Sequence, residues 1–162
     1  MSVIAAKVEC NKITIASDSI LIQEDLKRTD FKKLHRTADV IVGSCGTAEE
    51  LCLFFAYVDT HSPKFATTSG IMTFMSEFAK WKCQYINDSE IHNCYLIIFK
   101  NKLFEVDGLF VREIHDYTAI GEGEPYALTA LHLGHNVVAA VRAACELCCF
   151  VSEPILTYEI TV

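Results

Sequence analysis

Apolar and polar residues alternate in several short segments of the chain, and this alternation predicts β-strands. Residues 13–18 show it, and the largely apolar run at 3–8, which a polar turn at 9–12 separates from them, predicts the neighbouring strand. Residues 19–30 are mostly polar and predict a loop. Further strands are predicted at 40–43, 93–99, 102–106, 117–120 and 155–161, with a tight hairpin at Lys100-Asn101.

A first pair of helices is predicted between the strands at 40–43 and 93–99. Thr47 and Glu50 form a capping box, in which Thr47 accepts from the Glu50 amide while Glu50 reaches back, and this helix runs to about Asp59. Thr68 or Ser69 caps a longer helix. Its apolar residues recur at helical spacing, which is typical of packing against a core.

A second pair of helices is predicted before the last strand. Pro125 sits early in the third helix and Gly134 ends it, while Asn136 caps a fourth that runs to about Cys148. The order is therefore strands, two helices, strands, two helices and a strand. This order predicts an α+β fold, a four-layer αββα sandwich of two antiparallel sheets flanked by helix pairs. We expect one domain over residues 1–162, because the chain is long enough for a single core.

Composition and charge exclude several classes of function. The net charge of −7 and the pI of about 5.3 argue against a nucleic-acid groove, which needs clustered Lys and Arg. The N-terminus lacks the basic-then-apolar order of a signal peptide. The apolar stretch 137–151 contains Arg142 and Glu146 and is shorter than the roughly 20 residues that span a bilayer. We therefore expect a cytoplasmic location, no membrane association and reduced thiols at the eight cysteines.

Two clusters raise the question of a metal site. Cys145, Cys148 and Cys149 lie close in sequence, but no second cysteine pair has metal-ligand spacing, and packing as small apolar side chains is the favoured interpretation. His132 and His135 lie on either side of a helix C-terminus, where the helix dipole favours their partial positive charge. Solvated positions at this helix end are the favoured interpretation. We therefore predict neither a metal nor a cofactor.

Four segments of the chain, at 2–18, 31–36, 43–49 and 119–127, carry a resemblance that spans its length. The first opens a strand with a small hydroxyl residue and ends at an aspartate, and the last contains the run Ile-Gly-Glu-Gly. Together and in this order they resemble the proteasome β-subunit and HslV family of N-terminal-nucleophile (Ntn) hydrolases. The resemblance implies the sandwich fold already predicted from the element order.

The resemblance also implies a set of site residues. Ser2 takes the place of the N-terminal nucleophile, Asp18 is in register with the family's aspartate, and Lys33 takes the place of its lysine. A backbone N–H near Gly46 would act as oxyanion donor. With Met1 removed, the free α-amine of Ser2 supplies the base, because its ordinary pKa of about 7.7–8.0 lies near neutral pH.

Three positions depart from the family pattern. Ser2 replaces a threonine and lacks the methyl group that fixes the hydroxyl rotamer. Glu122 stands where the family has a serine in the Ile-Gly segment, and an inward-facing carboxylate there would raise the pKa of the amine. Glu146 falls where the family carries an aspartate that contacts the amine and the hydroxyl.

By resemblance, the function is hydrolysis of unfolded peptides inside a homo-oligomeric double ring of six or seven subunits per ring, with an ATP-dependent unfoldase as a possible partner. Two other functions remain open, a catalytically inactive ring-forming protein and a small-amide hydrolase of the same fold. A metal-binding module is a more distant alternative.

Overall fold

The computed structural model describes residues 2–162, which form eleven strands and four helices in the predicted order. The strands are β1 (Ile4–Glu9), β2 (Lys12–Ser17), β3 (Leu21–Gln23), β4 (Leu26–Arg28), β5 (Leu34–Arg36), β6 (Val40–Cys45), β7 (Cys94–Phe99), β8 (Lys102–Asp107), β9 (Phe110–Ile114), β10 (Tyr117–Ile120) and β11 (Leu156–Thr161). The helices are α1 (Ala48–Val58), α2 (Thr68–Ile86), α3 (Glu124–His132) and α4 (Val137–Leu147).

Two antiparallel sheets form the centre of the fold. One has the order β10-β1-β2-β11 and the other the order β5-β6-β7-β8-β9, while β3 and β4 pair only with each other. Helices α1 and α2 pack on the five-stranded sheet, and α3 and α4 pack on the four-stranded sheet. The predicted αββα sandwich is thus confirmed.

Three apolar layers hold the sandwich together. Ile4 and Ala6 face the other sheet, where they join Ile13, Leu96 and Ile98 in the central layer. Val3 and Ala5 point the opposite way, into the layer beneath α3 and α4. Successive residues of a strand face opposite sides of its sheet, so a strand between two apolar layers must be apolar at nearly every position.

Three short or exposed strand regions differ from the sequence-based expectation. The segment predicted as a polar loop contains the β3–β4 hairpin, and neither β5 nor β9 was predicted as a strand. β5 has only three residues, too few to show alternation. All three residues of β4 are exposed, and in β9 only Ile114 is buried while Phe110 is 67% exposed, so neither strand has a continuous buried face that would predict it. The predicted turn at Lys100-Asn101 is confirmed, with positive φ values of 47° and 61°.

The helix caps confirm the predictions in part. Thr47 caps α1 and accepts from the Glu50 amide at 3.4 Å, as predicted. The Glu50 carboxylate does not reach back, because it is buried and bound to the Lys82 ammonium at 2.8 Å. Thr67, one residue before the predicted cap, caps α2. None of the helices in residues 2–162 is both long and apolar enough to cross a bilayer.

Candidate functional site

The register of β1 and β2 brings the beginning of the chain next to Asp18. Ile4 in β1 lies opposite Ser17 in β2, so the residue before β1 and the residue after β2 are neighbours in space. The Asp18 N–H donates to the Val3 carbonyl at 3.2 Å, which extends the ladder by one more bond. Ser2 is 5% exposed and Asp18 is fully buried.

The Asp18 carboxylate holds together three separate parts of the chain. Oδ1 accepts the Val3 N–H at 2.8 Å, and Oδ2 accepts the Ile20 N–H at 3.2 Å. The Lys33 Nζ donates to both oxygens, at 2.9 and 2.7 Å. A buried carboxylate is stable as an anion only when donors of this kind surround it, so Asp18 fixes the backbone beside Ser2 and the ammonium of Lys33 together.

Lys33 is 2% exposed and lies immediately before β5. Its carbonyl accepts the Ser44 N–H at 3.0 Å, and this bond joins Lys33 to the end of β6. Burial lowers the pKa of Lys33 below its ordinary value, and the charge of Asp18 opposes that shift without cancelling it. A lysine with a lowered pKa gives up or takes a proton at a pH closer to neutrality than an exposed lysine does.

Ser2, Lys33 and Gly46 line one pocket of about 250 Å³. Apolar residues that include Ile20, Phe31 and Leu51 form part of its remaining wall, and polar residues such as Gln23 and Ser44 form another part. The pocket lies between the β3–β4 hairpin on one side and the N-terminus of α1 on the other. The arrangement places a hydroxyl, a buried cation and a backbone turn around one space large enough for a side chain.

Glycines are required where other segments approach this pocket. Gly46 has a φ of 138°, and a Cβ there would lie 2.0 Å from Oδ1 of Asn93. Gly121 has a φ of 96°, and a Cβ there would lie 2.4 Å from the Ser2 carbonyl oxygen. The Gly123 N–H donates to that same oxygen at 3.1 Å. A side chain at Gly46 or Gly121 would therefore displace the backbone that forms the site.

No model of a protein family matches the chain, and no curated protein matches it in sequence. Solved structures do match it. BPH from Thiobacillus denitrificans, in complex with epoxomicin, has a TM-score of 0.87 and 20% identity, with 98% of both chains covered. HslV from Trypanosoma brucei has a TM-score of 0.73 and 18% identity, with 99% of both chains covered. Anbu (ancestral beta-subunit) from Yersinia bercovieri has a TM-score of 0.73 and 16% identity, covering 97% of this chain and 80% of that one.

The chain has the proteasome-like Ntn-hydrolase fold. The resemblance deduced from four short segments is thus confirmed at the level of the fold. In this proteasome-like fold Ser2, Lys33 and Gly46 line one pocket, and Asp18 binds Lys33. Met1, whose removal would free the α-amine of Ser2, lies outside the described residues.

The other two predicted residues do not line the Ser2 pocket of the proteasome-like fold. Glu122 is exposed, although Gly121 lies against the Ser2 carbonyl and the Gly123 N–H donates to that carbonyl. Glu146 is also exposed and lines a separate groove between α3 and α4. Glu122 therefore adds no buried carboxylate beside the amine, and Glu146 does not take the position that the family comparison implied.

Cys145, the neighbour of Glu146, lies near enough to the Asp18–Lys33 pair for both charges to affect the pKa of its thiol. Burial, with a smaller contribution from the charge of Asp18, raises the pKa of its thiol to about 12, and the charge of Lys33 opposes this rise. Cys145 is half-buried beside the inward-facing stripe of α4, which contains Val141, Ala144 and Cys148. The helical spacing of this stripe is the sequence signal that would have separated Cys145 from the outward-facing Glu146.

The two clusters considered for metal binding do not line the Ser2 pocket. Cys148 packs beneath α3 and α4, Cys149 is exposed, and His135 lies in the outer groove. His132 Nδ1 lies 3.1 Å from the Tyr117 hydroxyl. Within residues 2–162, no three His, Cys, Asp or Glu side chains are arranged to hold a metal ion.

Proposed function

We propose that this chain is a peptidase subunit that hydrolyses peptide bonds with Ser2 as its nucleophile. One observation carries the proposal. Ser2, Lys33 and Gly46 line the same pocket, and the fully buried Asp18 holds Lys33 from behind with two bonds of 2.9 and 2.7 Å. A nucleophile, a group able to change its charge and a candidate oxyanion donor are the parts that acyl transfer requires.

The chemistry begins with the α-amine that removal of Met1 exposes. The neutral amine takes the proton of the Ser2 hydroxyl while Oγ bonds to the carbonyl carbon of the peptide. The C–N bond then breaks, and the proton passes from the amine to the departing nitrogen, leaving an ester on Ser2. Water cleaves that ester by the same proton route. An N–H at Gly46 would stabilise the tetrahedral oxygen by about 3 kcal/mol.

Lys33 supports the hydroxyl electrostatically. As a cation it would lower the pKa of the neighbouring amine and stabilise negative charge developing on Oγ. Asp18 opposes the effect of burial on the pKa of Lys33 and so keeps more of the lysine charged near neutral pH. The ion pair therefore lets a buried lysine act in a place where water cannot solvate it.

The walls of the pocket indicate which peptides would fit. Ile20, Phe31 and Leu51 contribute apolar surface, and Lys33 is engaged with Asp18 at the rear. We therefore expect a preference for an apolar residue beside the cleaved bond, because burying it in this pocket removes apolar area from water. The BPH structure contains epoxomicin, and we expect the same chemical class, a peptide epoxyketone, to react here.

The proposal includes assembly and location. We propose a homo-oligomeric double ring of six or seven subunits per ring in the cytoplasm, acting on unfolded peptides and served by an ATP-dependent unfoldase. The shared fold with HslV and Anbu supports self-association, and the unfoldase rests on the resemblance alone.

Intact mass and covalent labelling test the nucleophile. The purified protein should be lighter than the coded chain by about 131 Da, the mass of one methionine residue. A peptide epoxyketone should then add its full mass once per chain, because its reaction needs both the Ser2 hydroxyl and the free amine. Ser2→Ala should lose the adduct while keeping its fold, and Ser2→Thr should retain it.

The remaining results distinguish the other functions. An unprocessed chain that forms no adduct would contradict the peptidase and support an inactive ring-forming homologue. A labelled chain that cleaves small amides, but no peptide with an apolar residue at the scissile bond, would assign a small-amide hydrolase instead.

A further inference from the structure

A buried carboxamide lies directly behind the turn that carries Gly46. Asn93, the residue before β7, is fully buried. Its Oδ1 accepts the Thr47 N–H at 2.6 Å, and its Nδ2 donates to the Thr47 carbonyl at 2.9 Å. The same Nδ2 also donates to the Ser44 hydroxyl at 3.1 Å. One side chain thus binds both ends of the Thr47 residue and the strand that leads into the turn.

These contacts replace the capping box that the sequence predicted. In a capping box the side chain of Glu50 would accept the Thr47 N–H, but here Asn93 accepts it. Glu50 instead accepts the Asn93 N–H at 3.0 Å and the Tyr95 hydroxyl at 2.7 Å. The Lys82 ammonium neutralises the Glu50 carboxylate at 2.8 Å. The backbone of Asn93 is therefore fixed by Glu50, whose own carboxylate is held in place by Tyr95 and Lys82.

The fit between Asn93 and Gly46 is close. Gly46 has a φ of 138°, and any Cβ on it would meet the Asn93 carboxamide oxygen at 2.0 Å and its carbon at 2.5 Å. The Gly46 backbone, which also lines the pocket, therefore lies against the Asn93 carboxamide. The position of this backbone follows the position of Asn93, because neither can shift without breaking the bonds to Thr47.

We propose that Asn93 is a positioning residue for the reaction, which sets the direction of the Gly46 N–H towards the oxygen of the tetrahedral intermediate. The inference rests on the proposed function, since it assigns Asn93 a role at that same site. Asn93 itself would not touch the substrate. A donor that is misdirected by about 1 Å loses much of its effect on the transition state, and the corresponding loss of rate is up to about a hundredfold.

The test compares two variants of Asn93 with a matched control in the same network. Asn93→Ala removes both bonds to Thr47. Asn93→Asp keeps the side-chain volume and the acceptor for the Thr47 N–H but loses the donor to the Thr47 carbonyl. Because it leaves no cavity, it remains usable if the alanine variant does not fold. Tyr95→Phe removes one bond to Glu50 at 2.7 Å and makes no change at the turn. All three are compared with the wild type in thermal unfolding.

The first measurement separates positioning from stability. We expect Asn93→Ala to lower kcat on an apolar fluorogenic peptide by about tenfold to a hundredfold, with KM changed less than about threefold. A peptide boronate, which forms a tetrahedral adduct, should lose affinity by a similar factor. Asn93→Asp should lie between the wild type and Asn93→Ala, and Tyr95→Phe should retain kcat and boronate affinity even if its Tm falls. Wild-type kcat and boronate affinity in both Asn93 variants would overturn the proposal.

The second measurement does not depend on activity. Amide hydrogen exchange of residues 44–49 should accelerate at least about tenfold in Asn93→Ala and not in Tyr95→Phe. An unchanged exchange rate in this segment would overturn the positioning role. An inactive wild type whose segment nevertheless loosens in Asn93→Ala would contradict the peptidase function and the catalytic use of the turn, while retaining Asn93 as the residue that orders it.

Discussion

Glu122 is the residue whose placement most changes the expected chemistry. The family has a serine at this position, and an inward carboxylate would have kept the amine protonated. Its exposed position leaves the charge in solvent, where screening over roughly 8–10 Å weakens it. We therefore expect Glu122→Ser to change kcat/KM for peptide cleavage by less than about threefold. A large gain in kcat/KM, measured with a fluorogenic peptide at constant ionic strength, would show that the carboxylate acts on the site.

A second prediction at the residue scale concerns the Asp18–Lys33 pair. Asp18→Asn removes the charge that opposes the effect of burial, so the pKa of Lys33 should fall further. Breaking a buried pair costs about 3–5 kcal/mol while the remaining charge persists. The unfolded chain keeps a lysine pKa of about 10.4 and binds more protons than the folded one between the two pKa values. The stability of the variant should therefore rise with pH across that window.

Urea unfolding of Asp18→Asn and wild type at several pH values between 7 and 10 checks this sign. The difference in unfolding free energy should narrow as pH rises, because Lys33 loses its proton in the folded variant. Lys33→Met in the same series is the control, since it has no lysine at this position to titrate. A difference in unfolding free energy that widens with pH would contradict the expected fall of the Lys33 pKa in the variant.

Single residues also show how much of the site could be predicted from the sequence. Ser2, Asp18, Lys33 and Gly46 could be predicted as site residues, because the segments that contain them resemble those of the Ntn-hydrolase family. The register of β1 and β2 in the structure places Ser2 near Asp18. Asn93 could not be predicted, because it reaches the turn from a strand that is distant in sequence, through a buried side chain. Only packing in three dimensions brings such a residue to the site.

At the scale of elements, the Glu50–Lys82 pair joins α1 to α2 beside the site. Glu50 and Lys82 are 2% and 0% exposed, and the ammonium also binds the Glu90 carbonyl. We expect Glu50→Ala to lower the unfolding free energy by about 3–5 kcal/mol, because it leaves a buried cation without its main partner. Arg142→Ala, which breaks the exposed pair with Glu153, should cost no more than about 1 kcal/mol. Equal losses of unfolding free energy in the two variants, measured by denaturant unfolding, would contradict the expected difference between the buried and the exposed pair.

The same pair predicts a dependence on acid. Burial raises the pKa of Glu50, but the donors Lys82, Tyr95 and Asn93 together outweigh it and lower that pKa below its ordinary value. The stabilisation is complete above the unfolded pKa of about 4.3 and is lost as pH falls through the lower folded value. The stability difference between wild type and Glu50→Ala should therefore shrink below pH 4.

Elements were predictable in proportion to how much of them is buried. The four helices and the strands of the three apolar layers follow from periodicity, because burial of one or both faces constrains their sequence. The β3–β4 hairpin is largely exposed, and β5 and β9 each bury a single residue, so packing imposes too little pattern on these strands to predict them. The hairpin lines the pocket, so part of the site was outside the reach of sequence periodicity.

At the scale of the whole molecule, large apolar side chains remain exposed on the outer face of α3 and α4. Leu133 is 71% exposed and Leu147 is 66% exposed, and both line a groove of about 390 Å³ with Tyr126. Apolar surface gathered in this way is typical of protein–protein contact. A contact between subunits on this face would leave the Ser2 pocket uncovered, since that pocket is lined by other elements.

We therefore expect Leu133→Glu and Leu147→Glu to reduce assembly, because each places a charge where proposed self-association would bury apolar area. Sedimentation velocity should give a smaller species for the variants than for wild type at the same concentration, with unchanged circular dichroism. Leu133→Met keeps the apolar surface and should assemble like wild type. A wild-type chain that sediments as a monomer would contradict the ring. Variants that assemble normally would place the contact on another surface, such as the exposed Phe65 of the loop before α2.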